Sequence, residues 1–400
     1  MHVPVDDSAT LMDHHHFFFL LMSRLIGQTK NYRQHTQGNS QDGKRSDIHL
    51  RVFRINFARF AQNKSFLDTN GSYCKFRTIM STSSDATIGV GFGTAALGDQ
   101  CHDIVITALN AGFRKFDTAE ADWWYDQKAV GTALQSFFRD CPPNVNQCAR
   151  TCASEDIRIS TKIPPWSLTS ATNIRANAAA SRTELLGFCE DQITHDDHGN
   201  VIEGRPFPLD VYYIHAPACW DGWHPRCNDA PPTLALRDAW MAMEAVVGID
   251  HSARRIGLSN VQPDELRDII QFVKERPADS YPPPRMPDVL QAFADPLAPS
   301  DELRRICHFH GIEFVSYSTL GTQHRGESNP VLSSPIVQML AHRHERSVAE
   351  VVLSWALQNG MSVIPRSTKE HHIAELAKLL TLPPFLSPDD LEAMDSMKLN

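Results

Sequence analysis

The sequence predicts an α/β protein: a (β/α)8 barrel preceded by a disordered amino-terminal extension. From Ile88 onward, short runs rich in Val, Ile and Phe alternate with longer segments whose apolar residues recur every three to four positions. Eight of each kind follow one another over about 300 residues, as expected where every parallel strand leads into a helix. A doubly wound sheet is the competing fold, but the chain lacks the G-x-G-x-x-G turn that such a sheet carries after its first strand.

The predicted strands are short and apolar, and helices separate them. Strands are expected at 88–92, 113–117, 157–162, 210–215, 255–259, 288–293, 312–317 and 361–364. Helices are expected at 101–111, 126–139, 170–188, 233–247, 262–275, 300–310, 347–359 and 369–380. Alternating glycines at 89, 91 and 93 suit a closely packed barrel strand better than a phosphate-binding loop.

Local signals mark several helix ends. Ser347 and Glu350 have the spacing of a capping box, and Gly360 follows the same helix. Ser300 precedes two acidic residues, and Pro388 follows a serine, which places it at the first position of a last helix.

The first 80 residues differ from the rest in charge. They carry 11 Lys and Arg against 6 Asp and Glu, whereas the other 320 residues carry 27 against 41. Within one folded domain the net charge is not expected to change sign in this way. We therefore predict an extension at 1–85 and a barrel at 86–400. Three explanations of the extension stay open: an over-extended gene model, a transit segment or a disordered tail.

Composition narrows the class of protein. The chain of 400 residues has a formal charge of −9, which argues against a nucleic-acid or anionic-membrane partner. No apolar run approaches the ~18 residues of a membrane span, so a cytoplasmic protein is expected, or an organellar one if 1–80 is a transit segment.

Nine scattered cysteines include no C-x-x-C pair, so we expect no metal site and free thiols in a reducing compartment. A loop disulfide or an adventitious metal site stays open as the alternative.

Three consecutive predicted strands end in an ionisable residue: Asp117, Lys162 and His215. Such positions face the mouth of a (β/α)8 barrel, where active sites lie. Each residue alone has an ordinary explanation, as a helix cap, a surface lysine or a buried core histidine. Together with Tyr125 they suggest a proton donor, because an ammonium group lowers the pKa of a nearby phenol from about 10. Carbonyl reduction needs such a donor, and its hydride must come from a nicotinamide cofactor.

The order of motifs resembles the aldo-keto reductase superfamily over residues 86–400. The matching segments are 112–119, 130–134, 160–162, 213–217, 256–260, 317–321 and 363–367. The resemblance implies a barrel that binds NADPH across its mouth and a tetrad of Asp117, Tyr125, Lys162 and His215, with Tyr125 as general acid. Most members place the tyrosine five residues after the aspartate, where this chain has Asp122; some eukaryotic members carry a three-residue insertion, which favours Tyr125.

The resemblance also implies the residues that bind the cofactor. Those matching the nicotinamide-binding positions are Ser259, Asn260, Gln291 and Tyr317. Those matching the phosphate-binding positions are Ser318, Leu320, Gly321, Arg366 and Ser367, with His372 where an arginine is usual. A guanidinium group at 366 forms two parallel hydrogen bonds to a phosphate, which favours NADPH over NADH.

Substrate choice is expected to lie in the loops. Five tryptophans are candidates to line the substrate pocket, and the alternative for each is packing in the scaffold: Trp123, Trp124, Trp166, Trp220 and Trp223. The family resemblance implies a monomer that acts on a small-molecule carbonyl compound.

One alternative function is a non-catalytic NADPH-binding, redox-sensing subunit resembling potassium-channel β-subunits, with the insertions 189–208 and 216–232 as partner surfaces. Another is a different phosphate-binding barrel enzyme, such as an isomerase.

Overall fold

The computed structural model describes residues 88–122, 124–138, 157–187, 194–195, 201–202, 207–220, 222–228, 233–324 and 328–399. All of them belong to one compact unit of the chain, Ser83–Asn400. The predicted extension 1–85 and most of the insertion 189–208 lie outside the described residues. Within that insertion, Thr194–His195 pairs antiparallel with Val201–Ile202.

Eight strands form one parallel sheet that closes on itself. They are β1 (Phe92–Gly93), β2 (Lys115–Asp117), β3 (Arg158–Ile163), β4 (Leu209–Ile214), β5 (Ala253–Ser259), β6 (Val289–Phe293), β7 (Glu313–Tyr317) and β8 (Ser362–Val363). Hydrogen-bonded neighbours follow chain order from β1 to β8. A parallel bridge between Val90 and Val363 joins the two ends of the sheet, which confirms the predicted (β/α)8 barrel.

The seam between β1 and β8 explains the glycines of the first strand. The Gly91 N–H donates to the carbonyl oxygen of Val363 at 2.8 Å, and the Gly93 N–H donates to that of Pro365 at 3.0 Å. A Cβ atom on Gly93 would lie 2.8 Å from the carbonyl oxygen of Ile364. Only a residue without a side chain permits this approach, so the glycine serves strand packing.

The described residues include ten α-helices. They are α1 (Cys101–Asn110), α2 (Gln127–Phe138), α3 (Ala171–Leu186), α4 (Leu236–Gly248), α5 (Pro263–Glu275), α6 (Asp301–His310), α7 (Pro335–His344), α8 (Val348–Gln358), α9 (Glu370–Ala377) and α10 (Pro388–Asp395). α5 shows why they form, because Leu266, Ile269, Ile270 and Val273 lie on one face and are all buried. None of these helices is long and apolar enough to cross a membrane.

The helix ends test the local signals. The predicted capping box of α8 is present, with the Glu350 N–H donating to Ser347 Oγ at 3.1 Å. Ser300 makes no such cap; its hydroxyl donates instead to the carbonyl oxygen of Phe293 at 2.7 Å. Helix α7 was not expected, because it buries only Val337, Leu340 and Ala341 and so has a weak periodic pattern.

Charged groups fill the amino-terminal end of the barrel. Arg255 donates to Asp210 at 2.8 Å and to Glu313 at 2.6 Å. Above this network, Tyr213 packs in a small apolar cluster with valines from β4, β6 and β7. Charged and apolar side chains therefore fill the barrel interior at this end.

Candidate active site

A buried ion pair stands at the carboxyl end of the strands. Asp117 ends β2, and the fully buried Lys162 lies one residue before the end of β3. Lys162 Nζ donates to Asp117 Oδ1 at 2.5 Å and to the carbonyl oxygen of Thr118 at 2.8 Å. The second carboxylate oxygen of Asp117 accepts from Gln291 Nε2 at 2.8 Å. Both buried charges therefore have partners, as stability requires.

Tyr125 lies against this pair. Lys162 Nζ is 5.0 Å from the centroid of the Tyr125 ring, and the ring of His215 is 5.9 Å from it, centroid to centroid. Asp122, at the position where most family members have tyrosine, instead accepts from Arg226 Nη2 at 2.8 Å, and its side chain is 61% exposed. The structure thus brings Tyr125, rather than Asp122, to Lys162 and His215.

Burial is the largest single influence on the pKa values of Tyr125, Lys162 and His215. It raises the pKa of Tyr125, and Lys162 lowers that pKa, in the direction expected, by a smaller amount. Burial and the charge of Lys162 hold the pKa of His215 well below its ordinary value. Burial also acts against the charge of Lys162, but Asp117 and Tyr125 outweigh it and raise its pKa. At neutral pH the site therefore holds a protonated phenol, a neutral imidazole and an ammonium group.

The residues predicted to hold the nicotinamide lie together beside the tetrad. Ser259 ends β5, Gln291 lies within β6, and Tyr317 ends β7. Asn260 has a left-handed φ of 55°, its Nδ2 donates to the carbonyl oxygen of His215 at 2.9 Å, and its Oδ1 accepts from Tyr317 Oη at 2.6 Å. These amide and hydroxyl groups match the hydrogen-bonding groups of a nicotinamide carboxamide.

The turn after β7 follows with its backbone in two left-handed positions, Ser318 at φ 54° and Gly321 at φ 79°. A Cβ atom on Gly321 would lie 2.6 Å from the side chain of Val331, so only glycine fits. The carbonyl oxygen of Leu320 accepts from Asn329 Nδ2 at 2.6 Å, which holds the turn in place.

Polar and basic groups follow β8. Arg366 is exposed, and Ser367 Oγ lies 3.5 Å from His372 Nδ1 on α9. The Lys369 N–H donates to Ser367 Oγ at 3.1 Å, which places a second exposed cation at this corner. Sequence reasoning missed Lys369, although its position three residues after Arg366 was a usable signal. Hydroxyl, guanidinium and ammonium groups together suit a phosphate ester.

Residues 216–228, the aromatic loop, cover one side of the mouth. Trp223 makes an edge contact with His215 at 5.2 Å and stacks on Trp220 at 4.0 Å, centroid to centroid. Trp166 is buried and stacks on His224 at 4.4 Å, so it supports the loop from behind. Of the other tryptophans expected here, Trp124 is exposed, as is Trp220, and Trp123 lies outside the described residues.

A disulfide between Cys219 and Cys227 closes the aromatic loop, with 5.6 Å between the Cα atoms. The expectation of free thiols throughout is therefore wrong for this pair. Among the described residues, Cys101 and Cys307 are free and buried. The spacing of the bonded cysteines matches no common motif, and a turn through Gly222, with φ 74°, brings them together.

Comparisons with known proteins agree with this architecture. A profile of the "Aldo/keto reductase family" matches residues 204–398. Aldo-keto reductase family 1 member A1 of Sus scrofa is 29% identical over 202 residues, which are 48% of this chain and 58% of that protein. Aldose reductase B of Dictyostelium discoideum is 27% identical over 324 residues, or 78% of this chain and 89% of that protein. Aldose reductase C of the same organism is 25% identical over 325 residues.

The chain thus spans little more than half of the mammalian relative and most of both Dictyostelium relatives. The closed barrel, the order of its motifs and these matches point the same way: residues 204–398 match the aldo/keto reductase family, and most of the chain is similar to relatives named aldose reductase.

Proposed function

We propose that this protein is an NADPH-dependent reductase that converts an aldehyde or a ketone to an alcohol. The observation that carries the proposal is the position of Tyr125, whose ring lies against both Lys162 and a neutral His215 at the barrel mouth. The two relatives named aldose reductase support a carbonyl group as the target.

Bound NADPH would supply a hydride to the carbonyl carbon. The neutral imidazole of His215 orients the substrate by donating a hydrogen bond to the carbonyl oxygen. As negative charge develops on that oxygen, the Tyr125 hydroxyl transfers its proton to it. The ammonium group of Lys162 stabilises the resulting phenolate. Asp117 keeps Lys162 charged and oriented, and Gln291 in turn holds Asp117.

The groups around the mouth support NADPH as the hydride source. Ser259, Asn260 and Tyr317 would hold the nicotinamide beside Tyr125. Arg366 and Lys369 would meet the adenosine phosphate, with Ser367 and His372 next to them. Local positive charge matters here because the chain as a whole carries −9 and the cofactor is an anion.

The aromatic loop supports an apolar substituent on the substrate. Trp223 and Trp220 present stacked rings beside His215, where a substrate carbonyl would bind. Stacked rings favour flat or apolar groups, since they contribute contact area with few hydrogen-bonding atoms.

The test is a comparison of wild type, Tyr125→Phe and the control Tyr281→Phe, which makes the same change at an exposed tyrosine. NADPH oxidation is followed against a panel of aldehydes and ketones, and NADPH affinity by fluorescence titration. We expect Tyr125→Phe to lower kcat by about 10²–10⁴ with NADPH affinity within twofold, because the phenol acts on the substrate.

Full turnover by Tyr125→Phe would remove Tyr125 from the mechanism. Wild-type NADPH binding without turnover of any carbonyl would instead support a non-catalytic, cofactor-binding subunit. Absence of nucleotide binding would contradict both functions.

A further inference from the structure

Residues 317–324, here called the β7 turn, begin at the last residue of β7 and contain Ser318, Leu320 and Gly321, three of the expected phosphate-binding positions. A carboxylate with no exposed side-chain surface lies against the far end of this turn. It belongs to Asp295, two residues after β6, whose side chain is 0% exposed. The proposed mechanism gives this buried group no role.

Both oxygens of the Asp295 carboxylate have partners. Oδ1 accepts from the N–H groups of Leu297 and Ala298, each at 2.9 Å, which belong to the same local turn. Oδ2 accepts from His324 Nε2 at 2.7 Å, although His324 lies 29 positions later in the chain. Loss of the imidazole would remove this partner from a buried carboxylate oxygen, which is unfavourable.

The His324 ring also packs against β6. It makes an edge contact with the ring of Phe293, 6.0 Å away from centroid to centroid. The Phe293 ring in turn lies 6.2 Å from that of Tyr317, which is proposed to hold the nicotinamide. His324 therefore joins the β7 turn to the end of β6 through an ionised partner and a ring contact.

Other bonds hold the first half of the β7 turn. Thr319 Oγ1 lies 2.6 Å from Ser316 Oγ, and Asn329 Nδ2 donates to the carbonyl oxygen of Leu320 at 2.6 Å. Both join uncharged groups at most nine positions apart in the chain. They fix the turn to neighbouring residues rather than to β6.

The second half of the β7 turn has longer bonds of its own. Gln323 Nε2 donates to Ser318 Oγ at 3.2 Å between exposed side chains, and the His324 N–H donates to the carbonyl oxygen of Gly321 at 3.3 Å. Bonds of this length are weaker than the 2.7 Å bond to the buried carboxylate of Asp295. The Asp295 contact is therefore the strongest attachment of this half of the turn.

We propose that His324 is a positioning residue that fixes the β7 turn to the end of β6 and so holds Ser318, Leu320 and Gly321 ready for the cofactor phosphates. A turn that is ordered before binding loses less conformational freedom when the cofactor binds. The inference rests on the proposed function, since it concerns the proposed cofactor site, and it requires no contact between His324 and the cofactor.

The experiment compares wild type with His324→Leu, His324→Gln and the control His342→Leu, which changes an exposed histidine on α7. Leucine cannot donate to Asp295, whereas glutamine keeps an N–H donor. Fluorescence titration measures the affinity for NADPH and NADH. We expect His324→Leu to raise Kd about tenfold for both nucleotides, because both contain the pyrophosphate. His324→Gln and the control should stay within about twofold of wild type.

Steady-state kinetics distinguish placement of the cofactor from a general loss of structure. At saturating NADPH, kcat and the KM for the carbonyl substrate should stay within about twofold of wild type in His324→Leu. The reason is that the bonds of Lys162 and Asp117 join β2, β3 and β6 and do not pass through the β7 turn. An unchanged Kd, a fall in kcat at saturating NADPH, or no recovery in His324→Gln would overturn the inference.

Hydrogen–deuterium exchange separates this inference from the proposed function, because it needs neither nucleotide nor turnover. The amides of Gly321 and His324 both donate within the β7 turn. Exchange in 317–324 should be about tenfold faster in His324→Leu and near the wild-type rate in His324→Gln, with α5 unchanged in both. If wild type binds no nucleotide, the proposed function fails while the exchange rates still test the attachment of the turn. Equal rates in 317–324 for wild type and His324→Leu would reject it.

Discussion

The two sides of the barrel mouth are held in different ways. The tetrad side rests on strand ends, where Lys162, Asp117 and Gln291 form short hydrogen bonds between buried groups. The aromatic loop instead depends on ring stacking, one disulfide and an ion pair between exposed side chains of Asp122 and Arg226. The chemistry proposed for this site would therefore rest mainly on strand ends, whereas the proposed recognition surface lies on a loop that can vary without disturbing them.

The largest effect is expected from Lys162→Met. It leaves a buried Asp117 without its ion-pair partner, which costs about 3–5 kcal/mol of unfolding free energy, and lowers kcat by about 10² or more. Urea unfolding and steady-state kinetics measure the two effects, with Lys378→Met at an exposed site as control.

A double variant sharpens this prediction. Asp117→Asn combined with Lys162→Met removes both charges, so stability should return in part while activity stays low. Equal stability of the single and double variants would show that the ion pair does not hold the strand ends.

An intermediate effect is expected from Cys219→Ser, which opens the aromatic loop. Closing a loop of this size restricts the unfolded chain by about 2–3 kcal/mol. Here the constraint acts on a surface loop, so we expect KM for apolar carbonyls to rise about three- to tenfold, with kcat and the KM for NADPH within twofold. Kinetics with and without a dithiol reductant test this.

The dithiol should change the wild type in the same direction and leave Cys219→Ser unaffected. An unchanged KM in the variant would show that the loop keeps its shape without the disulfide, and the contrast between the two sides of the mouth would weaken.

The smallest effect is expected from Asp122→Asn. Exposed ion pairs contribute about 0.2–1 kcal/mol, so KM should change less than about fivefold, and less still at high salt. Asp268→Asn, which breaks the exposed pair with Arg237 on α4, is a matched control. A loss of turnover in Asp122→Asn comparable to that of Tyr125→Phe would contradict the placement of Tyr125 as the acid.

Much of the fold could be predicted because its signals are local. The eight strands and the capping box at Ser347 depend on residues close together in the chain, and the structure has them in place. Helix α7 could not be predicted in this way, since three buried residues make a weak pattern. The candidate site was partly predictable, because ionisable residues at strand ends converge at one edge of a parallel barrel.

Taken alone, the sequence determined the barrel, the order of its elements and the identity of the groups at the strand ends. Only the tertiary structure decided that Tyr125 rather than Asp122 meets Lys162 and that Cys219 bonds to Cys227. It also decided that burial outweighs Lys162 in setting the pKa of Tyr125. The reason is physical: periodicity is a property of neighbours in the chain, whereas desolvation and loop contacts depend on groups that folding alone brings together.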